Sequence, residues 1–384
     1  MTGTAREGDR APATARLQEP AGPEGVTLRP RPPSWMTSGL EWPRRHLFNS
    51  IPNTILTILC LWLLWQTVSL LLSWALIDAV WIGTPEACRA ADGACWALIT
   101  EKHRFILFGL YPYDEHWRPL VAVILFLATI VMTCQPVFWR WWLTLVWPLV
   151  LGVCALLMWG GVLGLTYVDN TRWGGIPLTL ILSVVGLVGS FPLAILLALG
   201  RRSELPGIRA TCIGFIELIR GVPLISVLFM ASVMFPLFLP EGITIDKLLR
   251  AQVGIILFSA AYLPEAIRGG LQSVSQGQYE AADALALSYW KKTTFIILPQ
   301  ALKVSIPPLV NQFISMFKDT SLVIIIGLFD LLTTAKTALN DPAWRQFYIE
   351  SYVFAALLYW SFCFFMSRYS LYIERRLETG RQRS

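Results

Sequence analysis

The sequence predicts an all-α integral membrane protein of eight transmembrane helices, and three observations carry that prediction. Of its 384 residues, 55% are hydrophobic and only 15% charged, with a mean hydropathy of +0.56. Soluble domains carry about 25% charged residues. Eight apolar stretches recur, at about 53–77, 119–134, 142–167, 176–199, 221–239, 250–267, 304–329 and 350–371. A helix needs about 20 residues to cross the hydrocarbon layer, and none of the stretches has the alternating pattern of membrane strands. Seventeen tryptophans suit a chain whose indoles sit at bilayer interfaces.

Residues 1–48 are rich in Pro, Ala, Gly and Arg without an apolar period and read as a disordered cytoplasmic tail. Pro148, Pro192, Pro307 and Pro308 fall within spans, where neighbouring helices can satisfy the freed carbonyls. Eight spans put both termini on one side. That side collects 21 Lys and Arg against 9 on the other, which makes it the cytoplasmic one. The net charge of +6 gives no sign of nucleic-acid binding, because no basic block with interleaved aromatics is present.

The loop 78–118 is then external and holds Cys88 and Cys95. Two readings stay open there, a disulfide closing a short hairpin in an oxidising compartment or two unpaired thiols. The other five cysteines lie in or beside apolar runs and behave as small hydrophobes. On the cytoplasmic side the longest interruption is 267–303, and so long an internal loop usually carries function. Within it, Ala, Leu and Glu make 279–287 a strong helix former, and Gly277 marks the break before it. Glu280 and Asp283 sit towards its N-terminal end, where acidic groups suit the helix dipole. Its face of small side chains suits either a groove on another protein or the chain's own bundle.

This loop resembles the EAA signature of binding-protein-dependent ABC importer permeases: Glu-Ala-Ala, three residues, Gly, nine residues, Ile-x-Leu-Pro. Glu280, Ala281 and Ala282 match, as do Ile296, Leu298 and Pro299, while Ala286 stands in the glycine slot. Glycine permits a left-handed bend there, and alanine adopts one only at a cost. Arg220-Gly221-Val222-Pro223-Leu224, Arg268-Gly269-Gly270-Leu271, Gly277-Gln278-Tyr279 and Phe317-Lys318-Asp319-Thr320-Ser321-Leu322 resemble the polar amino-acid branch. Trp173-Gly174-Gly175 and Gly93-Ala94-Cys95-Trp96-Ala97 look like the general L-amino-acid subgroup. Pro264 and Ser275-Gln276 depart from the family pattern.

The resemblance implies a five-helix permease core over 169–384, preceded by three additional spans over 49–168. It implies a bacterial inner-membrane transport subunit, not an enzyme, taking up polar or general L-amino acids. The partners it implies are two copies of an ABC ATPase, a second and related permease, a periplasmic amino-acid-binding protein, and membrane lipid around the bundle. Glu280 would contact the ATPase, with Ala281 and Ala282 allowing close approach and Asp283 in the same coupling helix. This chain has no Gly-Lys dipeptide and so no phosphate loop. It is expected to bind no cofactor, with ATP used by the partner.

Within the bundle, Lys318 and Asp319 are the only adjacent charged pair inside an apolar span. A charge near mid-membrane costs about 2.5–3.5 kcal/mol on insertion scales, so such groups face a cavity or the bundle interior. With Asn311, Gln312, Thr320 and Ser321 they form a polar stripe, which either lines the solute pathway or fixes helix packing. Arg220 and Arg268 stand at cytoplasmic span ends as interfacial anchors or contacts to the ATPase. Glu265 sits three residues before Arg268, at helical pairing distance. No metal site is expected, since His46, His103 and His116 lie outside the spans without ligand spacing. The alternative function is a stand-alone ion-gradient-driven amino-acid transporter using Lys318 and Asp319. An intramembrane enzyme would need clustered titratable groups, and only this one pair is available.

Overall fold

Each of the eight predicted apolar stretches contains helix, though the third, 142–167, is helical only as far as Trp159, and shorter helices lie between the stretches. The computed structural model describes residues 46–242 and 244–381, so the predicted disordered tail lies almost wholly outside the described residues. The chain divides into two compact units after Leu72. The first holds α1 (Ile51–Leu72), whose apolar run continues to Ile77. The second begins with α2 (Pro85–Ala90) and α3 (Ala97–Phe108) in the predicted external loop. Then come α4 (Trp117–Cys134), α5 (Leu143–Trp159), α6 (Gly175–Gly200), α7 (Pro206–Arg220) and α8 (Leu224–Phe229). The remainder is α9 (Lys247–Ser273), α10 (Gln276–Ala284), α11 (Tyr289–Lys292), α12 (Leu298–Asp319), α13 (Leu331–Thr337) and α14 (Tyr348–Arg381).

By length and apolarity, Ile51–Ile77, Tyr113–Cys134, Gly175–Gly200, Tyr289–Ile326 and Tyr348–Arg376 can each cross a membrane. The expected eight is therefore met only in part. The fifth predicted span is broken: α7 and the helix Leu224–Phe238 pass the test together but are bent by 101°. The break falls at Gly221-Val222-Pro223, where Pro223 has no N–H to continue the ladder. Helix α5 has 17 residues, and α9 is long enough but carries Gln252, Glu265 and Arg268 within its length. The segment 200–220, left as a cytoplasmic connection between the fourth and fifth predicted stretches, is helical over most of its length. Apolar residues at Ile208, Cys212, Phe215, Ile216 and Ile219 recur with helical spacing and fold it as amphipathic α7.

The long interruption at 267–303 closes from both sides. Helix α9 runs on to Ser273, and the seventh span begins in the helical run that starts at Tyr289. The helix expected over 279–287 starts earlier, at Gln276, with Gly277 inside it rather than before it.

The core is built on α9, which packs along α6 on one side and α12 on the other. Glycines set those distances. A Cβ at Gly186 would come within 2.5 Å of Met316 and 2.6 Å of Ile255, and one at Gly189 within 2.7 Å of Ile256. The Trp-Gly-Gly segment is explained the same way: Gly175 has φ +61°, and its missing Cβ leaves room for the Leu107 carbonyl. Gly174 and Gly175 make parallel bridges to Phe329 and Asp330. The fully buried Asp330 caps α13 through Leu332 and Thr333 and accepts from the Tyr359 hydroxyl at 2.8 Å.

The loop 78–118 and the segment before α14 form one cap. Cys88 and Cys95 are joined as a disulfide with Cα atoms 5.5 Å apart, and they pack with Leu98, Leu339, Trp344 and Phe347. The Cys95 N–H donates to the buried Glu350 carboxylate at 2.8 Å. Lys102 bridges Asp341 at 2.9 Å and Glu101 at 3.0 Å. The Lys102 hydrogen bond, with the Ala343 N–H adding to it, holds the Asp341 carboxyl below the ordinary carboxylate range. A depressed acid contributes stability above its unfolded pKa and loses it as pH falls through the folded value. Acidification from neutral to below that range is thus expected to lower the protection of amides in 338–344, measured against the intrinsic exchange rate at each pH. Asp341→Asn should show the same low protection at both pH values, and wild-type protection unchanged by acid would mean that the bridge does not hold this segment.

Candidate functional site

The EAA loop is a short helix with a defined stop. After α10 the Leu287 N–H donates to the Ala282 carbonyl (3.2 Å) and the Ala286 N–H to the Asp283 carbonyl (2.9 Å). Those two bonds make a Schellman motif with Ala286 in the left-handed position, and its φ is +51°. The bend the glycine slot implies is therefore present, with alanine bearing the strain. A left-handed L-residue costs roughly 1–2 kcal/mol, so Ala286→Gly should stabilise the turn by ~1 kcal/mol and slow amide exchange at 284–288 about fivefold. Unchanged exchange would mean the turn is held from elsewhere.

The loop divides its residues between two faces. Ala282 is buried and Tyr279 half-buried against the chain's own bundle, while Glu280, Ala281 and Ala284 are exposed. Of the pair, Ala282 is buried within this chain and Ala281 is exposed. Leu285, next on the outward face, is 71% exposed. Asp283 is turned aside into a 2.6 Å bridge with Lys292. Ile296 is half-buried against the cluster formed by α6, α9 and α12, Leu298 is half-buried, and Pro299 is an exposed residue in the first turn of α12. The Ile-x-Leu-Pro end of the signature thus anchors the loop, and the Glu-Ala-Ala end presents it.

The polar stripe of the seventh span separates into two. Asn311, Ser315 and Lys318 are exposed along one face of α12, in register with Val304 and Pro308. Gln312, Asp319 and Thr320 turn the other way, into a small cavity closed by Leu224, Ile255, Phe258, Ser259 and Met316. Ser321, just past the helix, is half-buried. Neighbours in sequence point to different helix faces, and among the described residues no ion pair joins Lys318 to Asp319. The cavity has space for about one water, far less than an amino acid needs.

A third grouping was half visible in the sequence. Arg268 holds one Glu265 oxygen through Nε (3.0 Å) and Nη2 (2.9 Å). The other oxygen takes Arg201 at 2.5 Å and Arg220 at 3.5 Å. Arg201 also lies 3.8 Å from Glu217. Sequence spacing revealed the Glu265–Arg268 pair, whereas Arg201 comes from 64 residues away and carries no local signal. Gln252 and Ser259 were also missed. They recur at helical spacing with Ile255 on the buried face of α9, a pattern that stands out only once the cavity is known.

Comparison with known proteins identifies the family. The family described as "Binding-protein-dependent transport system inner membrane component" matches residues 190–379. The inner membrane amino-acid ABC transporter permease protein YhdY of Escherichia coli (strain K12) is 50% identical over 364 residues, covering 92% of this chain and 97% of that protein. The glutamate/glutamine/aspartate/asparagine transport system permease protein BztC of Rhodobacter capsulatus is 38% identical, over 91% of this chain and 96% of that protein. The shorter L-cystine transport system permease protein TcyB of Bacillus subtilis is 38% identical over 53% of this chain and 86% of its own length.

Proposed function

Since this chain belongs to the binding-protein-dependent transport system inner membrane components, as an amino-acid ABC importer permease, we propose that a separate ATPase drives it through α10. The chain itself is a multi-pass inner-membrane transport subunit and not an enzyme. The observation that carries the coupling reading is the presented face of Glu280, Ala281, Ala284 and Leu285 on a helix whose far side is anchored in the bundle. An exposed leucine beside a carboxylate and two alanines is a surface suited to a groove on another protein. Two such ATPases, a second related permease and a soluble amino-acid-binding protein complete the proposed assembly, with both termini of this chain in the cytoplasm.

The solute would be a polar or general L-amino acid. Its path runs, in this reading, along the exposed Asn311, Ser315 and Lys318 face, which cannot rest against hydrocarbon without cost and is covered by the second permease. Gln312, Asp319 and Thr320 would meet the solute once their cavity opens. The test is uptake of labelled L-amino acids into right-side-out vesicles of the native host, with its osmotic-shock fluid added. The proposal expects uptake to follow internal ATP and survive collapse of the membrane potential. Uptake that collapses with the potential and ignores ATP would favour a gradient-driven carrier instead.

A further inference from the structure

We propose that Glu265 is a coupling residue, the junction through which movement of α10 reaches the broken helix pair α7–α8 and the Asp319 cavity. The inference rests on the coupling reading above and adds the internal route and its switch.

The contacts run continuously between the two ends. On the α10 side, Tyr279 is the residue before Glu280. Arg202 donates to its hydroxyl at 3.4 Å and lies 5.9 Å above its ring, and the Tyr279 hydroxyl in turn donates to the Leu271 carbonyl of α9. Arg201, next in sequence at the end of α6, holds Glu265. Arg220, the last residue of α7, reaches the same oxygen. Three residues separate Arg220 from Leu224, the first residue of α8 and part of the wall of the Asp319 cavity. Helix α9 carries Glu265 two turns beyond Phe258 and Ser259 on that same wall.

The charges provide for two arrangements. Three guanidinium groups from three helices share one carboxylate, and Arg201 and Arg220 compete for a single oxygen at 2.5 and 3.5 Å. Arg201 has a second acid within reach, Glu217 on α7, at 3.8 Å. A small pull on Arg201 and Arg202 by Tyr279 would pass Arg201 from Glu265 to Glu217 and leave the oxygen to Arg220. The exchange gives up the close Arg201–Glu265 contact and tightens two contacts already within reach, Arg201 on Glu217 at 3.8 Å and Arg220 on Glu265 at 3.5 Å, so one strong pair is traded for two. The exchange moves the end of α7 at its 101° break, where Gly221 offers no side chain to resist. Bland anchoring of the arginines at the bilayer interface explains neither the shared oxygen nor the alternative acid.

The experiment uses full-length chain in right-side-out vesicles of the native host, with osmotic-shock fluid and a mixture of labelled L-amino acids. Glu265→Gln is compared with Arg220→Gln, which removes the α7 arm with its contact over the Tyr262 ring and leaves Arg201 and Arg268 on the carboxylate. Both variants should retain the ATPase on purification, because neither residue lies on the presented face. Uptake should fall about tenfold, and ATP turnover should lose its rise on addition of solute-loaded shock fluid. Wild-type stimulation in both variants would overturn the proposal. So would loss of both variants from the membrane, since the cluster would then be a stability device. A wild type without ATP-driven uptake would instead sink the parent reading, so the two failures stay distinguishable.

Discussion

A chain carrying Glu280→Lys and Leu285→Asp is expected to fold, reach the membrane and lose its ATPase. Both side chains are exposed in the isolated chain, and Leu285 has 71% of its surface free. Neither makes a contact that the bundle needs, so the fold should not register the change. Burying a leucine on binding is worth about 1.5–3 kcal/mol. Replacing it with a charge reverses the sign, since an unpaired carboxylate in an interface must be desolvated. Binding should weaken at least ~100-fold, about 2.7 kcal/mol, with ATP-driven uptake falling in parallel. Arg345→Asp, exposed on the cap at the other part of the fold, is the control and should change neither property. Retention of ATPase by the double variant would move the docking surface away from α10.

The second large effect concerns Arg118, which is fully buried at the start of α4. Its Nε donates to the Leu157 carbonyl at 2.7 Å, and Nη1 donates to the Thr166 carbonyl at 3.0 Å and to Glu115. The group lies 5.6 Å from the Tyr111 ring, and Gly160 with φ +66° makes room for it. One side chain therefore ties α4 to the end of α5 and the turn that follows. Arg118→Met keeps most of the volume but removes the charged partner of Glu115 and the donor to the Thr166 carbonyl, leaving Glu115 with the Thr166 hydroxyl and the Leu157 carbonyl with the Tyr111 hydroxyl. Breaking a buried pair from one side costs about 3–5 kcal/mol. Because Glu115 keeps partial access to water, the lower figure applies, ~3 kcal/mol, visible as a melting midpoint several degrees lower in detergent. An unshifted midpoint would mean that the cap holds α4 and α5 together without this residue.

Arg118 also shows where sequence reading stops. It counted as one of nine external positive charges, and nothing nearby in sequence marks it as buried, because its partners at Leu157 and Thr166 lie 39 and 48 residues away. Features that depend on local chemistry were legible. The apolar runs, the strong helix former beside Glu280 and the Glu265–Arg268 spacing each follow from residues a few positions apart. The left-handed slot at 286 could be located, but the sequence could not say whether alanine would fill it or the turn would change. Long-range convergence was not legible: Arg201 on Glu265, Ser259 beside Asp319, and Tyr359 on Asp330 all need the packing of several helices. The helix within 200–220 was missed for a related reason. Its four positive charges drew attention away from the helical period of its apolar residues.

A cross-link from α10 identifies what its outward face touches. A cysteine at position 280 (Glu280→Cys) would be treated in native vesicles with a short thiol-to-amine reagent, beside the wild type, whose Cys60, Cys134, Cys154, Cys212 and Cys363 supply the background. The coupling account predicts a new product joining this chain to a phosphate-loop ATPase, formed in vesicles that retain ATP-driven uptake. An ATPase that is present and active in those vesicles, yet never joined to position 280, would contradict it.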